Sequence, residues 1–227
     1  MVSFSSAESK QARMFNPSNA EVLDARTYNL TIGGVVLYGI IINVLMCYYL
    51  APQILAVNPL VLLIGYFILA IAGSVLTYKS DSPVISFIGY NMVAVPVGAV
   101  LTVCVQSYSS TVVFQAFLLT AVITGVMLAL ATAFPGVFAG MGRMLFAALL
   151  GTLAAAIVCM IFSISTIILS WVFAVIFALY IGYDWVRANS VQRTTANAIA
   201  AASALYLDII NILLRVMRIL ARARDND

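Results

Sequence analysis

Asp184 and Asp208 are the two residues of this chain best placed to do chemistry. Asp184 ends the apolar run from Trp171 to Tyr183, and Asp208 lies midway along the next one, Ala196 to Leu214. A carboxylate at bilayer depth costs roughly 2.5–3.5 kcal/mol on insertion scales, so it faces the bundle interior or water and marks a functional position. Two carboxyls brought together in a poorly solvated interior cannot easily both ionise. They titrate as a unit and share a proton. A hydrogen bond across the singly protonated pair ties two helices together. Full ionisation removes that bridge and adds a charge that draws in water and cations. Such a pair suits a proton-sensing, pH-gated cation path. Asp184 alone also has a plainer reading, as a helix-end carboxylate paired with Arg187 three residues on; Asp208 has only Arg215, two turns away, in its own stripe.

Calcium takes about six to eight oxygen ligands, several of them carboxylates when it is held tightly. Asp184 and Asp208 are the only acids within apolar runs, helped at most by Asn211, Asn43, Asn91 and backbone carbonyls. Tight storage is excluded. Weak, transient calcium coordination at Asp184 and Asp208 remains, and conduction requires weak sites. Calcium is then the transported ion, alongside protons, and no cofactor is expected. The chain has no histidine, which removes the commonest metal ligand and the usual proton shuttle. Cys47, Cys104 and Cys159 each fall inside an apolar run without paired spacing and read as small buried hydrophobes.

The elements that must position the pair follow from composition. Of 227 residues, 64% are hydrophobic and 8% charged, against about 25% charged in an ordinary soluble domain. This is an all-α integral membrane protein with the lipid bilayer as its surroundings. Its net charge of +3 gives no ground for a nucleic-acid partner. Runs of about 20 apolar residues cross roughly 30 Å of hydrocarbon. Seven such runs are present: Tyr28–Leu50, Leu60–Tyr78, Pro83–Gln106, Thr111–Ala133, Met144–Phe162, Thr166–Trp185 and Ala196–Leu220. Pro83 suits a helix start, whereas Pro96 falls inside the third run and should kink it. The expected organisation is an N-terminal segment over 1–27, one transmembrane domain over 28–222 and a polar tail over 223–227. The segment 1–27 carries Glu8, Lys10, Arg13, Glu21, Asp24 and Arg26 with no apolar core, so the first span itself must direct insertion.

Short connections make neighbouring spans antiparallel, and positive charge then sets orientation. The N-terminal segment and the second, fourth and sixth loops carry Lys10, Arg13, Arg26, Lys79, Arg143, Arg187 and Arg193; the first, third and fifth carry none. A cytoplasmic N-terminus follows. Seven crossings place Arg218, Arg222 and Arg224 outside, against the rule, so the last helix either crosses despite its charges or dips in and returns. Crossing is favoured because one continuous helix needs no internal turn. Asn197, Ala201, Ala204, Asp208, Asn211 and Arg215 follow spacings of three and four and share one face. With the small-residue run Ala196–Ala204, that stripe reads as a helix packed by protein on most sides, with Asn197, Asn211 and Arg215 supporting Asp208.

Rival seven-span readings are testable on residues. A retinal protein needs a mid-membrane lysine, and the only lysines are Lys10 and Lys79. An intramembrane aspartyl protease carries Gly-x-Gly-Asp on its second catalytic helix, where this chain has Leu205-Tyr-Leu-Asp208 and no later proline. A metabolite transporter would show repeats and a richer polar midplane. No enzymatic activity is expected.

Phe177-Ala-Leu-Tyr-Ile-Gly-Tyr-Asp184 and Ala204-Leu-Tyr-Leu-Asp-Ile-Ile-Asn-Ile-Leu-Leu214 resemble the two hallmark segments of the transmembrane Bax inhibitor motif family. Gln115-Ala-Phe-Leu-Leu-Thr-Ala121 and Gly140-Met-Gly-Arg-Met-Leu-Phe146 are similar to its other conserved-looking stretches, in the same order along the chain. The resemblance implies a seven-helix bundle with the C-terminal helix central, wrapped by two three-helix layers. It implies a pH-sensitive calcium leak with Asp184 and Asp208 as the paired aspartates. The compact length resembles bacterial members and implies a bacterial plasma membrane. Relatives carry an arginine-rich latch after the second span; the nearest match here is Lys79-Ser-Asp81, which makes Lys79 the candidate latch. Gln115 stands where a relative has glutamate. Some relatives modulate membrane proteases or cell death, which implies an alternative: a non-conducting regulator with a membrane-protein partner. The residues set no oligomeric state.

Overall fold

The computed structural model describes residues 21–224. The expectations for Glu8, Lys10 and Arg13, most of the segment 1–27 and the end of the tail 223–227 lie outside the described residues. Among the described residues the regular elements are all helices. They are α1 (Ala25–Tyr49), α2 (Ala51–Leu55), α3 (Pro59–Lys79), α4 (Pro83–Gln106), α5 (Ser110–Ala133), α6 (Pro135–Ala139), α7 (Gly142–Ile161), α8 (Ile167–Asn189) and α9 (Thr195–Arg224).

Seven of these are long and apolar enough to cross a membrane, with mean hydropathies of 1.7 to 2.5 over their best windows. Their apolar side chains are not spent on a core: only 11% of those windows is buried in α3 and in α7. Leu60, Ile68, Phe146 and Met160 all point outward, and only hydrocarbon can solvate such faces without a large penalty. α9 and α4 differ, with 61% and 50% of their windows buried. α9 is one uninterrupted helix of 30 residues, without the turn that a dipping and returning segment needs.

Helix ends follow capping chemistry. The Asp24 carboxylate accepts from the Arg26 and Thr27 backbone N–H groups at 3.1 and 3.3 Å and starts α1. Hydrogen bonds from Thr27, side chain first and then backbone, hold that carboxyl below its ordinary range. Asn58 accepts from the Leu60 N–H with Pro59 at the first helical position of α3. Ser109 caps α5 through the Val112 N–H. Pro96 lies inside α4, which continues through it to Gln106.

Two expectations about the connections change. The breaks after Leu50 and after Ala133 hold the five-residue helices α2 and α6, too short to show an apolar period. α8 also runs past Trp185 to Asn189, so Arg187 is helical where a loop was expected. Apolar content falls there, but the backbone ladder continues.

The chain divides into two compact units. One comprises residues up to Val103 together with Ala188–Tyr206; the other comprises Cys104–Arg187 together with the residues from Leu207 onward. In the first, α3 and α4 approach closely at Gly73 and Gly89: a Cβ on Gly89 would stand 2.5 Å from Thr77 Oγ1. Thr77 donates to the Gly73 carbonyl at 2.8 Å beside them. The first unit also holds Tyr206, whose hydroxyl accepts from Asn43 Nδ2 and donates to the Ala94 carbonyl at 3.4 Å. Tyr90 packs edge-on against the Tyr206 ring at 5.7 Å and donates to the Val35 carbonyl at 2.9 Å.

Candidate functional site

Asp184 and Asp208 belong to the same unit and lie close enough for each carboxyl to act on the other. A carboxyl–carboxyl hydrogen bond requires one proton between the two groups, because an ionised carboxylate has nothing to donate. Asp208 is 6% exposed and its Oδ2 has no hydrogen-bond partner. Asp184 is half-buried, and the Arg187 guanidinium acts on it electrostatically from one turn further along α8. Asp184 thus has both Arg187 and Asp208 within electrostatic range. Tyr180, one turn before Asp184 and close enough to feel both acids, completes the polar cluster.

The segment of α8 carrying Asp184 is held from three sides of its own unit. Phe138, at the end of α6, lies flat against Gly182, so that any Cβ there would overlap its ring. Gly142, opening α7, receives the Tyr183 ring in the same manner, with the hydroxyl 2.5 Å from where a Cβ would stand. Trp185 Nε1 donates to Thr132 Oγ1 at 3.0 Å, and Val186 packs with Phe138 and Ala131. Residues 182–186 thus have little freedom to rotate, and Asp184 is presented at a fixed register. The short helix α6 supplies the Phe138 wedge. It went unseen in the sequence, where a proline–glycine pair reads as a break.

The other expected site residues fall differently. Asn211 Nδ2 donates to the Leu207 carbonyl of its own helix at 2.8 Å. Arg215 lies over the Phe173 ring, 4.3 Å from its centroid, a cation–π contact within the unit of the pair. Asn197, in the first unit, donates to the Gln192 carbonyl at 2.8 Å. Spacing placed these three on one face, but local backbone and ring partners engage them. Lys79 is exposed in the last turn of α3, in the first unit. Asn43 and Asn91, considered above as cation helpers, are engaged in the first unit by Tyr206 and by Tyr38 with the Phe87 carbonyl. Among the described residues no three His, Cys, Asp or Glu side chains group around a metal position.

Sequence spacing could have flagged Tyr180, which stands four residues before Asp184. Gly182 and Phe138 carried no such signal, because their partnership exists only once α6 packs on α8.

A family model described as "Inhibitor of apoptosis-promoting Bax1" matches residues 20–226. Two uncharacterized proteins of Helicobacter pylori, from strains J99 and 26695, are 30% and 29% identical over 117 residues. The match covers 51% of this chain and 50% of each relative, so the chain spans about half the length of the curated relatives it matches.

Proposed function

The chain belongs to the family of inhibitors of apoptosis-promoting Bax1, and from that premise we propose that it is a pH-sensitive passive calcium path gated by Asp184 and Asp208. The supporting observation is the closeness of the two carboxyls, Asp184 on α8 and Asp208 on α9, within interacting range of each other. In this reading the pair holds one proton jointly, with Asp208 the more deeply buried member and Asp184 lying near Arg187. Removing that proton ends the sharing and leaves both carboxyls charged in a poorly solvated interior. Two like charges near contact at an effective dielectric of about 20 repel by up to about 4 kcal/mol, which biases a two-state helix packing strongly. The same ionisation supplies two carboxylates to a passing cation, too few for tight calcium binding and suited to transit.

The test is calcium flux into liposomes across a pH series. Wild type has a flux that varies with pH, and Asp184→Asn and Asp208→Asn each flatten or displace the profile. Identical profiles for wild type and both variants would remove the mechanism.

The family's description as an inhibitor of apoptosis-promoting Bax1 favours a second reading, a non-conducting regulator of other membrane proteins in which the aspartate pair is structural. Purified protein without calcium flux, recovered with a membrane-protein partner that Arg187 and Arg193 or the arginines of α9 hold, would select it. Under either reading the chain is not an enzyme, and the membrane it fits is a bacterial plasma membrane with its N-terminus in the cytoplasm.

A further inference from the structure

A second polar feature lies in the unit of the aspartate pair but involves neither acid. The connection between α7 and α8 turns at Ser163, whose backbone takes a left-handed conformation with φ 53°. Beside it opens a cavity of about 480 Å³ lined by Tyr108, Ser163, Ser165, Thr166, Arg218 and Arg222, with Ile164, Ile167 and Ala221 as its apolar wall. That volume falls within the roughly 300–1,000 Å³ of small-ligand sites. No acidic side chain lines it.

Arg218 and Arg222 are four residues apart and share one face of α9. Arg224 is engaged elsewhere, donating from Nη1 to Ser109 Oγ at 3.4 Å. Arg215 stands near enough to Arg218 for the two to repel, so positive charge accumulates along this end of α9. Ile167 opens the 23-residue α8 and Thr166 directly precedes it. The first-turn N–H groups of a helix lack intrahelical acceptors and favour an anion. Two guanidiniums, three aliphatic hydroxyls and a phenol around one opening form a donor set for a tetrahedral oxyanion.

The surroundings identify which oxyanion. Phe162, Ile164 and Ile168, which flank the opening, are 70%, 56% and 72% exposed. They give the cavity an oily margin continuous with the spans. We propose that this cavity binds the phosphate of an anionic phospholipid headgroup, Arg218 and Arg222 holding the phosphate oxygens while the acyl chains lie along the exposed apolar side chains of α7 and α8. Free phosphate shares the first half of that chemistry and lacks the second.

The experiment measures thermal melting of the full chain in detergent, titrated with short-chain phosphatidylglycerol, phosphatidylcholine of the same chain length, or inorganic phosphate. Phosphatidylglycerol should raise the Tm saturably. Arg222→Gln, at an exposed position in the last turns of α9, should need about five-fold more lipid for half the effect, and R218Q/R222Q more than about ten-fold. Arg143→Gln removes the same charge from an exposed position outside the cavity lining and should titrate like wild type. Titrations of R222Q and R218Q/R222Q that superimpose on wild type overturn the site. An equal response of wild type to phosphatidylcholine overturns the requirement for an anionic headgroup. An equal response to inorganic phosphate overturns the lipid as the ligand.

Discussion

Tyr206 and Asp208 stand two residues apart on α9, and each is the buried polar centre of its own unit. Around Tyr206 the partners are neutral: the Asn43 amide, the Ala94 carbonyl and the edge of Tyr90. Around Asp208 the partner is another carboxyl, Asp184. A hydroxyl–amide network keeps its donors and acceptors at every pH a cell meets. A carboxyl pair keeps its hydrogen bond only while it holds a proton. One region is therefore a constant brace, and on the proposed reading the other is a conditional one. Both leave an oxygen without a partner, Asn43 Oδ1 and Asp208 Oδ2. Only the second can acquire a charge.

Breaking the constant brace should produce the largest effect. Tyr206 is fully buried, and Tyr206→Ala is expected to cost about 3–5 kcal/mol. The Tm in detergent should fall by the same amount at acid and neutral pH. A loss that varied with pH would erase the distinction between the two regions.

Next comes Asp208→Asn, which supplies a permanent amide donor to the Asp184 carboxylate. Hydrogen bonds to charged groups contribute about 1.5–3 kcal/mol. The variant should hold that stabilisation across the pH range in which wild type gains or loses it, so its melting curve stops responding to pH. Gly182→Ala tests how Asp184 is positioned, because the added methyl overlaps Phe138. A destabilisation of about 1–3 kcal/mol is expected, together with an altered pH profile of flux. Unchanged flux would mean that the register of Asp184 is not set by the Phe138 wedge. The smallest effect belongs to Asn211→Ala. Its side chain bonds only the Leu207 carbonyl among the contacts seen, and stability should move by no more than about 0.5 kcal/mol with the pH profile intact.

The spans were legible because their signal is additive. Twenty apolar residues between Pro52 and Lys79, or between Ser82 and Ser107, leave one solution in hydrocarbon, since every backbone group there must bond within its own helix. The α4 range read from sequence, Pro83–Gln106, is the observed one. Legibility failed where the signal was short or shared. Five residues of α2 and of α6 cannot display a period, and α8 outlasts its apolar run by four residues because helix propagation needs backbone bonds, not hydrophobicity. The stripe of α9 was read correctly as one face. The polar members of that stripe also engage a carbonyl or ring within reach, Asn211 the Leu207 carbonyl and Arg215 the Phe173 ring.

By itself the sequence determined a seven-span helical membrane protein and the two acids that such a setting makes expensive. Those are properties of residue type and run length, which act locally. That Asp184 and Asp208 come within range of each other, that Phe138 packs against the helix turn carrying one of them, and that Arg218 and Arg222 line a cavity with the α7–α8 turn were decided only by tertiary structure. Each joins residues from different helices. No spacing along a chain encodes which faces of separate helices will meet, because that is set by how their small and large side chains interlock.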